Sequence, residues 1–249
     1  MANNTFDVLM LIARPAAGKS EIIHHLKNTP AALRQERFHV GRIDEIDDFP
    51  MLWTWFEEDD LLSQMGKPRL HSTEDGYFKG QHLWDVLIRR ISLEYHKRLR
   101  DYPASSEPVT ALVEFARGKE HGGFRQAFQH LSKELLERTA ILYIDVSYQE
   151  SLRKNRRRFN PNRPDSILEH GLSDEKMERL YAEVDWHELT QGKTSGYLTI
   201  QGIQTPYVVF ENEDDVTTPG GEALNGRLQM TLENLWKLYE HRQGREIKK

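Results

Sequence analysis

Four apolar runs of strand length recur along the chain, and each lies next to a polar residue at its end. They are Val8 to Ala13, Val109 to Phe115, Ala140 to Val146 and Tyr207 to Phe210, with a weaker fifth candidate at Phe38 to Ile43. Runs that do not alternate with polar positions are typical of parallel strands buried on both faces. The pattern therefore predicts a sheet that other elements cover on both sides.

Helical patterns occupy the stretches between these runs. They cover Ser20 to Lys27, Gly80 to Tyr102, Phe124 to Arg138 and Leu224 to His241. A hairpin turn is predicted at Gln201-Gly202, between 196–200 and 203–205, and it leads into the last strand. The alternation of strands and helices predicts an α/β fold with a doubly wound, parallel, five-stranded sheet.

We expect a single domain over residues 1–249, with two additions to this frame. Residues 45–105 form a predicted helical insertion whose first part is acidic and aromatic, and residues 151–190 form a predicted lid. Trp53, Trp55 and Trp84 could stack on a planar substrate, but aromatic residues in such an insertion more often form a small core of their own. The insertion is thus a candidate substrate-binding region.

The first strand leads into a short loop, RPAAGKS, which opens onto a helix. A phosphate-binding loop needs converging main-chain N–H groups, a lysine for the outer phosphates and a hydroxyl for Mg²⁺. Gly18, Lys19 and Ser20 stand in the required order. The residues predicted to bind the nucleotide here are Ala16, Ala17, Gly18, Lys19, Ser20 and Glu21. The alternative is an ordinary turn between a strand and a helix.

Two alanines depart from the usual pattern of this loop. Ala13 and Ala16 stand where glycines are common. We therefore expect both turns to be made without the freedom that glycine has at positive φ.

Acidic residues lie near the ends of two predicted strands. Glu114, close to the end of the third apolar run, could order Mg²⁺ or a water molecule, or could simply bind neighbouring loop amides. Asp44 is the candidate general base for an acceptor hydroxyl, with Glu45, Asp47 and Asp48 close behind it. The alternative is that this acidic run caps the next helix.

A basic helix is predicted directly after the strand that ends at Asp145. Ser147 and Glu150 form a capping pattern, and Arg153 and Arg157 follow at i and i+4 on one helical face. Paired guanidinium groups can clamp a phosphoryl group in transfer. A basic run can also be a solvated face or a nucleic-acid patch.

These motifs together resemble the nucleoside and nucleotide kinase branch of the P-loop NTPases, which includes adenylate-kinase-like proteins. The resemblance rests on LIARPAAGKS, LVEFARG, YIDVSYQESLRKNRRR and YVVFENEDD. It implies the strand order 2-3-1-4-5, an arginine-bearing mobile lid and Mg-ATP as the phosphoryl donor. It also implies that Lys19, Ser20, Arg153 and Arg157 lie at the phosphates and that Asn212 approaches the adenine.

Composition narrows the classes of function. The formal net charge of −5 makes a nucleic-acid partner unlikely, since polynucleotide binding favours a basic surface. The chain contains no cysteine, which fits a reducing compartment, and no stretch approaches the length of a membrane span. We therefore expect a cytoplasmic protein with no membrane partner.

The sequence thus predicts an ATP-dependent phosphotransferase that uses ATP and Mg²⁺. Lys19, Asp44, Arg153 and Arg157 are its predicted catalytic residues, and Ser20 and Glu114 its predicted metal ligands. The alternative is a nucleotide-binding switch or regulatory protein without transfer activity. A third hypothesis is a kinase of nucleic-acid ends that uses the run from Arg153 to Arg163. The small-molecule acceptor and the oligomeric state are not predicted.

Overall fold

A single mixed sheet forms the centre of the molecule in the computed structural model, which describes residues 4–102, 107–158 and 172–246. Its strands are β1 (Val8–Ala13), β2 (Arg42–Asp47), β3 (Val109–Phe115), β4 (Thr139–Asp145), β5 (Ser195–Ile200) and β6 (Ile203–Glu211). They lie in the order β2-β3-β1-β4-β6-β5, and every neighbouring pair is parallel except the β5–β6 pair. The α/β class with a mostly parallel sheet is confirmed.

The prediction of a five-stranded sheet in the order 2-3-1-4-5 is wrong, because a sixth strand closes one edge. Gln201 (φ 51°) and Gly202 (φ 85°) both have positive φ, as a two-residue hairpin turn requires. The predicted hairpin is therefore present, and its second arm continues without interruption as the last strand, β6. Pro206 precedes the part of β6 that pairs with β4, which begins at Tyr207, so its missing N–H costs no bond to β4.

Helices cover both faces of the sheet. They are α1 (Lys19–Asn28), α2 (Ala31–Phe38), α3 (Phe49–Gln64), α4 (His82–Asp101), α5 (Gly123–Gln129), α6 (Lys133–Glu137), α7 (Tyr148–Arg158), α8 (Asp174–Tyr181), α9 (Trp186–Thr190) and α10 (Gly221–Glu246), with a 3₁₀ turn at Lys119–His121. No helix in the described ranges is long and apolar enough to cross a membrane.

The twofold alternation of strand side chains builds two separate cores. Leu9 and Leu11 of β1 pack with α1, α2 and α10 on one face of the sheet. Val8, Met10 and Ile12 pack on the opposite face with α4, α5, α6 and α9. Both faces of β1 are fully buried, which explains its uninterrupted apolar sequence.

Two predicted elements differ from the structure. The second strand was expected at 38–43 but lies at Arg42–Asp47, because Phe38 ends α2 and the left-handed His39 (φ 55°) turns the chain. The single helix predicted over 124–138 is two helices, since Ser132 caps α6 by accepting a hydrogen bond from the Leu135 N–H (3.3 Å).

The two predicted additions are seen only in part. Residues 103–105 of the predicted insertion and 159–171 of the predicted lid lie outside the described residues. Within the insertion, α4 buries Ile88, Ile91 and Tyr95 against the sheet, so it belongs to the covering layer. Helix α3 and the loop at 65–81 are the parts that border the cleft described next.

Candidate functional site

The segment between β1 and α1 has the shape of an anion-binding loop. Ala16 (φ 55°) and Gly18 (φ 119°) both have positive φ, whereas Ala13 is an ordinary residue of β1. Only one of the two alanines therefore occupies a position that favours glycine. A Cβ atom on Gly18 would lie 2.6 Å from Thr217 Oγ1 and 2.9 Å from Asn212 Nδ2, so only glycine fits there.

Side chains from three other elements hold this loop in place. Asn212 Nδ2 donates to the Ala17 carbonyl (2.8 Å), and Ser151 Oγ donates to the Pro15 carbonyl (2.8 Å). The first N–H groups of α1 have no intrahelical partners, and the helix dipole gives them a partial positive charge. The loop thus presents N–H groups suited to an anion such as a phosphate.

Arg14 ties the loop to the two ends of the α7–α8 region. Its guanidinium donates to the carbonyls of Val146 (2.9 Å), Tyr181 (3.3 Å) and Ala182 (3.3 Å). Val146 directly follows β4, while Tyr181 and Ala182 lie at the end of α8. One side chain therefore fixes three backbone positions that are distant in sequence.

The loop opens into a cleft of about 1080 Å³. Ala16, Gly18, Lys19, Ser20 and Glu21 line it, as the sequence predicted for nucleotide contacts, together with Glu114 and Arg157. Ala17 is buried and does not line the cleft. Most of the predicted site residues thus share one cavity.

Two carboxylates lie in this cleft at the ends of neighbouring strands. Asp47 and Glu114 are register partners on β2 and β3. Burial raises the pKa of Asp47 to about 8, and the nearby charges of Glu114 and Asp48 act in the same direction, opposed by Lys19. Burial also raises the pKa of Glu114, again against the influence of Lys19. Burial therefore favours the uncharged form of both carboxyl groups.

Asp44 does not take the position predicted for the general base. It lies within β2 rather than at its end, and it is not part of the cleft lining. It forms an ion pair with Arg98 and accepts a hydrogen bond from the Tyr102 hydroxyl (2.7 Å). Side chains alternate between the two faces of a strand, so Asp44 lies on the same face of β2 as Ile46 and on the opposite face from Asp47. The face of Ile46 is the one that packs against α4.

The two predicted clamp arginines are also separated by the structure. Arg157 lines the cleft and has no ion pair or hydrogen bond within the described residues. Arg153 lies outside the lining, where it pairs with Glu150 (2.7 Å) and Asp215 (2.9 Å). These two carboxylates therefore hold the Arg153 guanidinium outside the cleft lining.

Asn212 supports the loop from behind and does not line the cleft, although the resemblance implies a place near the adenine. Its side chain is fully buried and donates to Ala17 and to Thr217 Oγ1 (2.8 Å). The residues on this side that do line the cleft are Thr217, Thr218, Pro219, Gly220, Gly221 and Leu224.

Lys154 adds a buried cation to the same cavity. Its ammonium donates to Asp215 (2.6 Å) and to Thr217 Oγ1 (3.0 Å). Thr217 also accepts from Asn212, which holds Ala17. A continuous chain of hydrogen bonds therefore joins α7 to the loop between β1 and α1.

Aromatic side chains form much of the other half of the cleft. They are Phe49, Trp53, Phe56, Tyr77, Phe78, Trp84 and Tyr181. His121 stacks on Trp84 with a centroid distance of 3.8 Å, and it is 2% exposed. Burial and the neighbouring Arg117 lower the pKa of His121 to about 3, so its ring is neutral. We call this half of the cleft the aromatic chamber.

Arg117 and Asp48 form a buried ion pair at the wall of the aromatic chamber. The Arg117 Nη1 atom lies 2.7 Å from Asp48 Oδ2, and both side chains are almost completely buried. The guanidinium also lies over Trp84, 5.1 Å from the ring centroid. The pair brings no net charge to the chamber.

The loop after α3 reaches across the cleft to α8. Tyr77 packs beneath the Lys176 ammonium (5.2 Å) and the Arg179 guanidinium (4.3 Å), and Lys176 donates to the Gly76 carbonyl (3.1 Å). These cation–π contacts join the predicted insertion to the predicted lid.

A buried carboxylate at the end of α3 organises this crossing loop. Asp59 accepts hydrogen bonds from the N–H groups of Leu70 (2.6 Å), His71 (2.9 Å) and Ser72 (2.5 Å), and from the Ser72 hydroxyl (2.7 Å). Burial would raise the pKa of Asp59, but these donors outweigh it and lower the pKa to about 2. Four hydrogen bonds to the Asp59 carboxylate therefore hold the loop at 70–72 in place.

Several lining residues had no assigned role in the sequence-based prediction. Asp47 and Lys154 could have been found by counting strand and helix positions, because Asp47 ends β2 and Lys154 lies one turn before Arg158. Arg117 and His121 required the structure, since nothing in their spacing shows that they meet Asp48 and Trp84.

The donors near the loop fit a magnesium ion bound with a nucleotide. Mg²⁺ takes one or two protein oxygens and fills its shell with phosphate oxygens and water. Ser20 and Glu114 line the cleft beside the loop, and a bound cation would favour the charged form of Glu114 that burial disfavours. In the part of the chain that is described, no group of three or more acidic or histidine side chains could hold a metal ion by itself.

No protein-family model matches this chain, and comparison with curated proteins gives no significant match. The chemistry of the cleft is therefore inferred from its own residues.

Proposed function

We propose that the protein is an ATP-dependent phosphotransferase of the P-loop kinase type, with Mg²⁺ as its cofactor. The observation that carries the proposal is the position of the loop at 14–20. It opens into the same cleft as two strand-end carboxylates, Asp47 and Glu114, and an arginine with no described partner, Arg157. Loop, acid and cation are the three components that phosphoryl transfer requires.

The loop side of the cleft would hold the donor. The N–H groups at the start of α1 and the Lys19 ammonium would bind the phosphates, as an anion site at a helix N-terminus does. Lys19 forms no hydrogen bond or ion pair within the described ranges, and its charge is directed at Asp47 and Glu114. Ser20 and Glu114 would hold Mg²⁺, which neutralises charge on the phosphates.

The transfer would proceed by attack of an acceptor hydroxyl on the γ-phosphorus. A bond forms between the acceptor oxygen and phosphorus, the bond from phosphorus to the β–γ bridging oxygen breaks, and ADP leaves. Asp47 would take the hydroxyl proton in its ionised form, which Lys19 favours, and its pKa of about 8 makes that form a strong proton acceptor. Arg157 would stabilise the charge on the transferring group.

The sheet supports this assignment through its parallel strands. The cleft lies at the carboxyl ends of these strands, where open α/β sheets bind ligands.

The test begins with nucleotide binding, measured by calorimetry with ATP in the presence and absence of Mg²⁺. Lys19→Ala is expected to weaken ATP binding by about tenfold or more, because it removes the charge at the outer phosphates. Lys27→Ala is the matched control, since Lys27 lies at the other end of α1 and pairs with Glu45. ATP and GTP are compared in the same assay.

Transfer is then measured as ADP release with a panel of hydroxyl compounds. Acceptor-stimulated release that Lys19→Ala abolishes would support the proposal. ATP binding without any stimulated release would favour a nucleotide switch. Equal ATP binding by wild type and Lys19→Ala would contradict the proposed site.

A further inference from the structure

We propose that Lys154 is a positioning residue that shapes the loop between β1 and α1 for anion binding. It acts through Thr217 and Asn212, which hold the peptide group that carries the Gly18 N–H. The inference rests on the proposed function, because it takes this loop as the phosphate site. It gives α7 the task of shaping the loop, and it gives Lys154 a role other than contact with phosphate.

The peptide group between Ala17 and Gly18 is held from one side. Asn212 Nδ2 donates to the Ala17 carbonyl (2.8 Å). The described chain contains no cis peptide bond, and in a planar trans peptide group the C=O and the N–H point in opposite directions. The Gly18 N–H therefore points away from Asn212, and it donates to no other group within the described residues. Since Gly18 lines the cleft, an anion there could accept this N–H.

The preceding turn of the loop is held in the same way from α7. Ser151 Oγ donates to the Pro15 carbonyl (2.8 Å), so the N–H of Ala16 points away from Ser151. Ala16 has φ 55°, a conformation in which a residue other than glycine is strained. Such a conformation persists only where the surrounding structure enforces it. The hydrogen bond from Ser151 thus helps to hold an alanine in this turn.

Lys154 fixes the orientation of Asn212 through the Thr217 hydroxyl. Its ammonium donates to Thr217 Oγ1 (3.0 Å), which also accepts from Asn212 Nδ2 (2.8 Å). A hydroxyl oxygen has two lone pairs, so it can accept both hydrogen bonds at once, and its own proton then donates toward Asp215 (3.5 Å). Lys154 thus holds Thr217, and Thr217 holds the amide group that binds Ala17. We call Lys154, Thr217 and Asn212 the relay.

The side chains that hold the loop are almost completely buried. Ser151 and Asn212 are 0% exposed, Thr217 is 2% exposed and Lys154 is 5% exposed. Removing one donor from such a place leaves its acceptor without a partner and without water, which is costly. The relay therefore favours a single arrangement of the loop.

The charge of Lys154 is already paired within the protein. Its ammonium lies 2.6 Å from Asp215 Oδ1. Phosphate binding by Lys154 would break this pair and leave a buried carboxylate with less compensation, which disfavours direct contact. Lys19 forms no ion pair or hydrogen bond within the described residues, so it remains the lysine for the phosphates under the proposed function.

The same helix carries Arg157 into the cleft. Ser151, Lys154 and Arg157 follow one another along α7 at intervals of three residues, so each lies next to the one before on the helix surface. Ser151 and Lys154 hold the loop, and Arg157 lines the cleft. The contacts that shape the loop therefore also fix where α7 places Arg157.

The first experiment reports the loop conformation by NMR in the full-length protein without any ligand. The sequence contains a single Ala–Gly step, at Ala17 and Gly18, so labelling with carbonyl-¹³C alanine and ¹⁵N glycine gives one correlation across this peptide group. We expect Lys154→Met and Thr217→Val to shift or broaden this signal, because each breaks the relay. Thr217→Ser keeps the hydroxyl and should restore the wild-type signal.

Arg153→Ala is the matched control for the loss of charge next to Asp215. Arg153 also pairs with Asp215 (2.9 Å), but its other hydrogen bonds run to Glu150 rather than to Thr217. The loop signal and the ATP affinity of Arg153→Ala should be those of wild type.

The second experiment measures binding of pyrophosphate, and of ATP with Mg²⁺, by calorimetry. Lys154→Met and Thr217→Val are each expected to weaken both ligands by about tenfold, as the loss of a buried hydrogen bond would. Because both residues act through one relay, the double variant should lose about as much affinity as the weaker-binding single variant. Direct contact between Lys154 and phosphate would instead give losses that add.

The outcomes distinguish this inference from the proposed function. A wild-type loop signal in Lys154→Met would overturn the positioning role, and so would additive losses in the double variant. If Lys154→Met does not fold, a wild-type loop signal in Thr217→Val would overturn it equally. Wild-type protein that binds neither pyrophosphate nor ATP would instead contradict the proposed function, while the ligand-free signal would still decide whether Lys154 shapes the loop.

Discussion

Asp47 and Glu114 are register partners on adjacent parallel strands, and neither has an ion-pair partner among the described side chains. Both have a raised pKa, and burial is the main cause in each. The charge of Glu114 further disfavours the charged state of Asp47, whereas Lys19 favours the charged state of both carboxylates. Under the proposed function, Glu114 of this pair would help to bind Mg²⁺ and Asp47 would accept the proton of the acceptor hydroxyl.

Asp47→Asn is expected to reduce the turnover number of acceptor phosphorylation by about 100-fold or more, because general base catalysis contributes on that scale. ATP binding should be retained. The measurement is ADP release at saturating ATP and acceptor. Asp44→Asn is the matched control on the same strand, and its turnover should stay near that of wild type because Asp44 lies outside the cleft. Equal loss in both variants would contradict the assignment of the base.

Arg157→Ala is expected to lower the turnover number by about 100-fold, since a cation that stabilises developing charge is removed. Arg153→Ala, four residues earlier on α7, should leave turnover near that of wild type because its guanidinium is held by Glu150 and Asp215. Steady-state kinetics on the pair checks this directly. A larger effect in Arg153→Ala would restore the clamp that the spacing first suggested.

Gly18→Ala is expected to destabilise the protein by about 2 kcal/mol or more and to abolish ATP binding. The added methyl group would meet Thr217 at 2.6 Å, and alanine is strained at φ 119°. Ala16→Gly is the counterpart, because glycine reaches φ 55° without strain. Thermal unfolding and calorimetry compare the two. A Gly18→Ala protein with wild-type stability and affinity would show that the loop rearranges at little cost.

Asp59→Asn is expected to lower the free energy of unfolding by about 2 kcal/mol at neutral pH, because hydrogen bonds to a charged group are lost. The folded-state pKa of Asp59 is lowered to about 2 from 3.8. Its contribution is therefore present above about pH 4 and lost as the pH falls toward 2.

Denaturation of wild type and Asp59→Asn at pH 7 and pH 2.5 measures this contribution. Their stabilities should converge at the acid end. Asp60→Asn is a suitable control, because Asp60 is more exposed and pairs only with Arg69 (2.6 Å). A difference that stays constant across this range would mean that packing, rather than charge, accounts for the role of Asp59.

Much of the central sheet could be predicted from sequence because its inner strands are buried on both faces. β1 and β3 lie at the predicted bounds, and Glu114 lines the cleft. The position of β2 was predicted wrongly because β2 is an edge strand with few apolar residues. Phe38 at the end of α2 and Val40 after it gave a stronger hydrophobic pattern than β2 itself. That shift of four residues is why Asp44 was chosen over Asp47.

The rest of the candidate site depends on contacts that sequence spacing does not encode. Arg153 and Arg157 share a helical face, yet Asp215 from a distant loop captures only Arg153. Asn212 lies in the expected region but faces the loop's interior, where it holds Ala17. The aromatic chamber likewise arises from the meeting of α3, α4, the 119–121 turn and α8, which no local pattern specifies.

The hydrogen bonds of Arg14 suggest how ligand binding at the loop would affect a distant helix. Its guanidinium joins the loop between β1 and α1 to Val146 before α7 and to Tyr181 and Ala182 at the end of α8. A ligand that tightens the loop would therefore pull on both ends of the intervening segment at the same time. We therefore expect the loop and the end of α8 to move together, and a fluorophore attached to the outer face of α8 would test this by responding to a ligand at the loop.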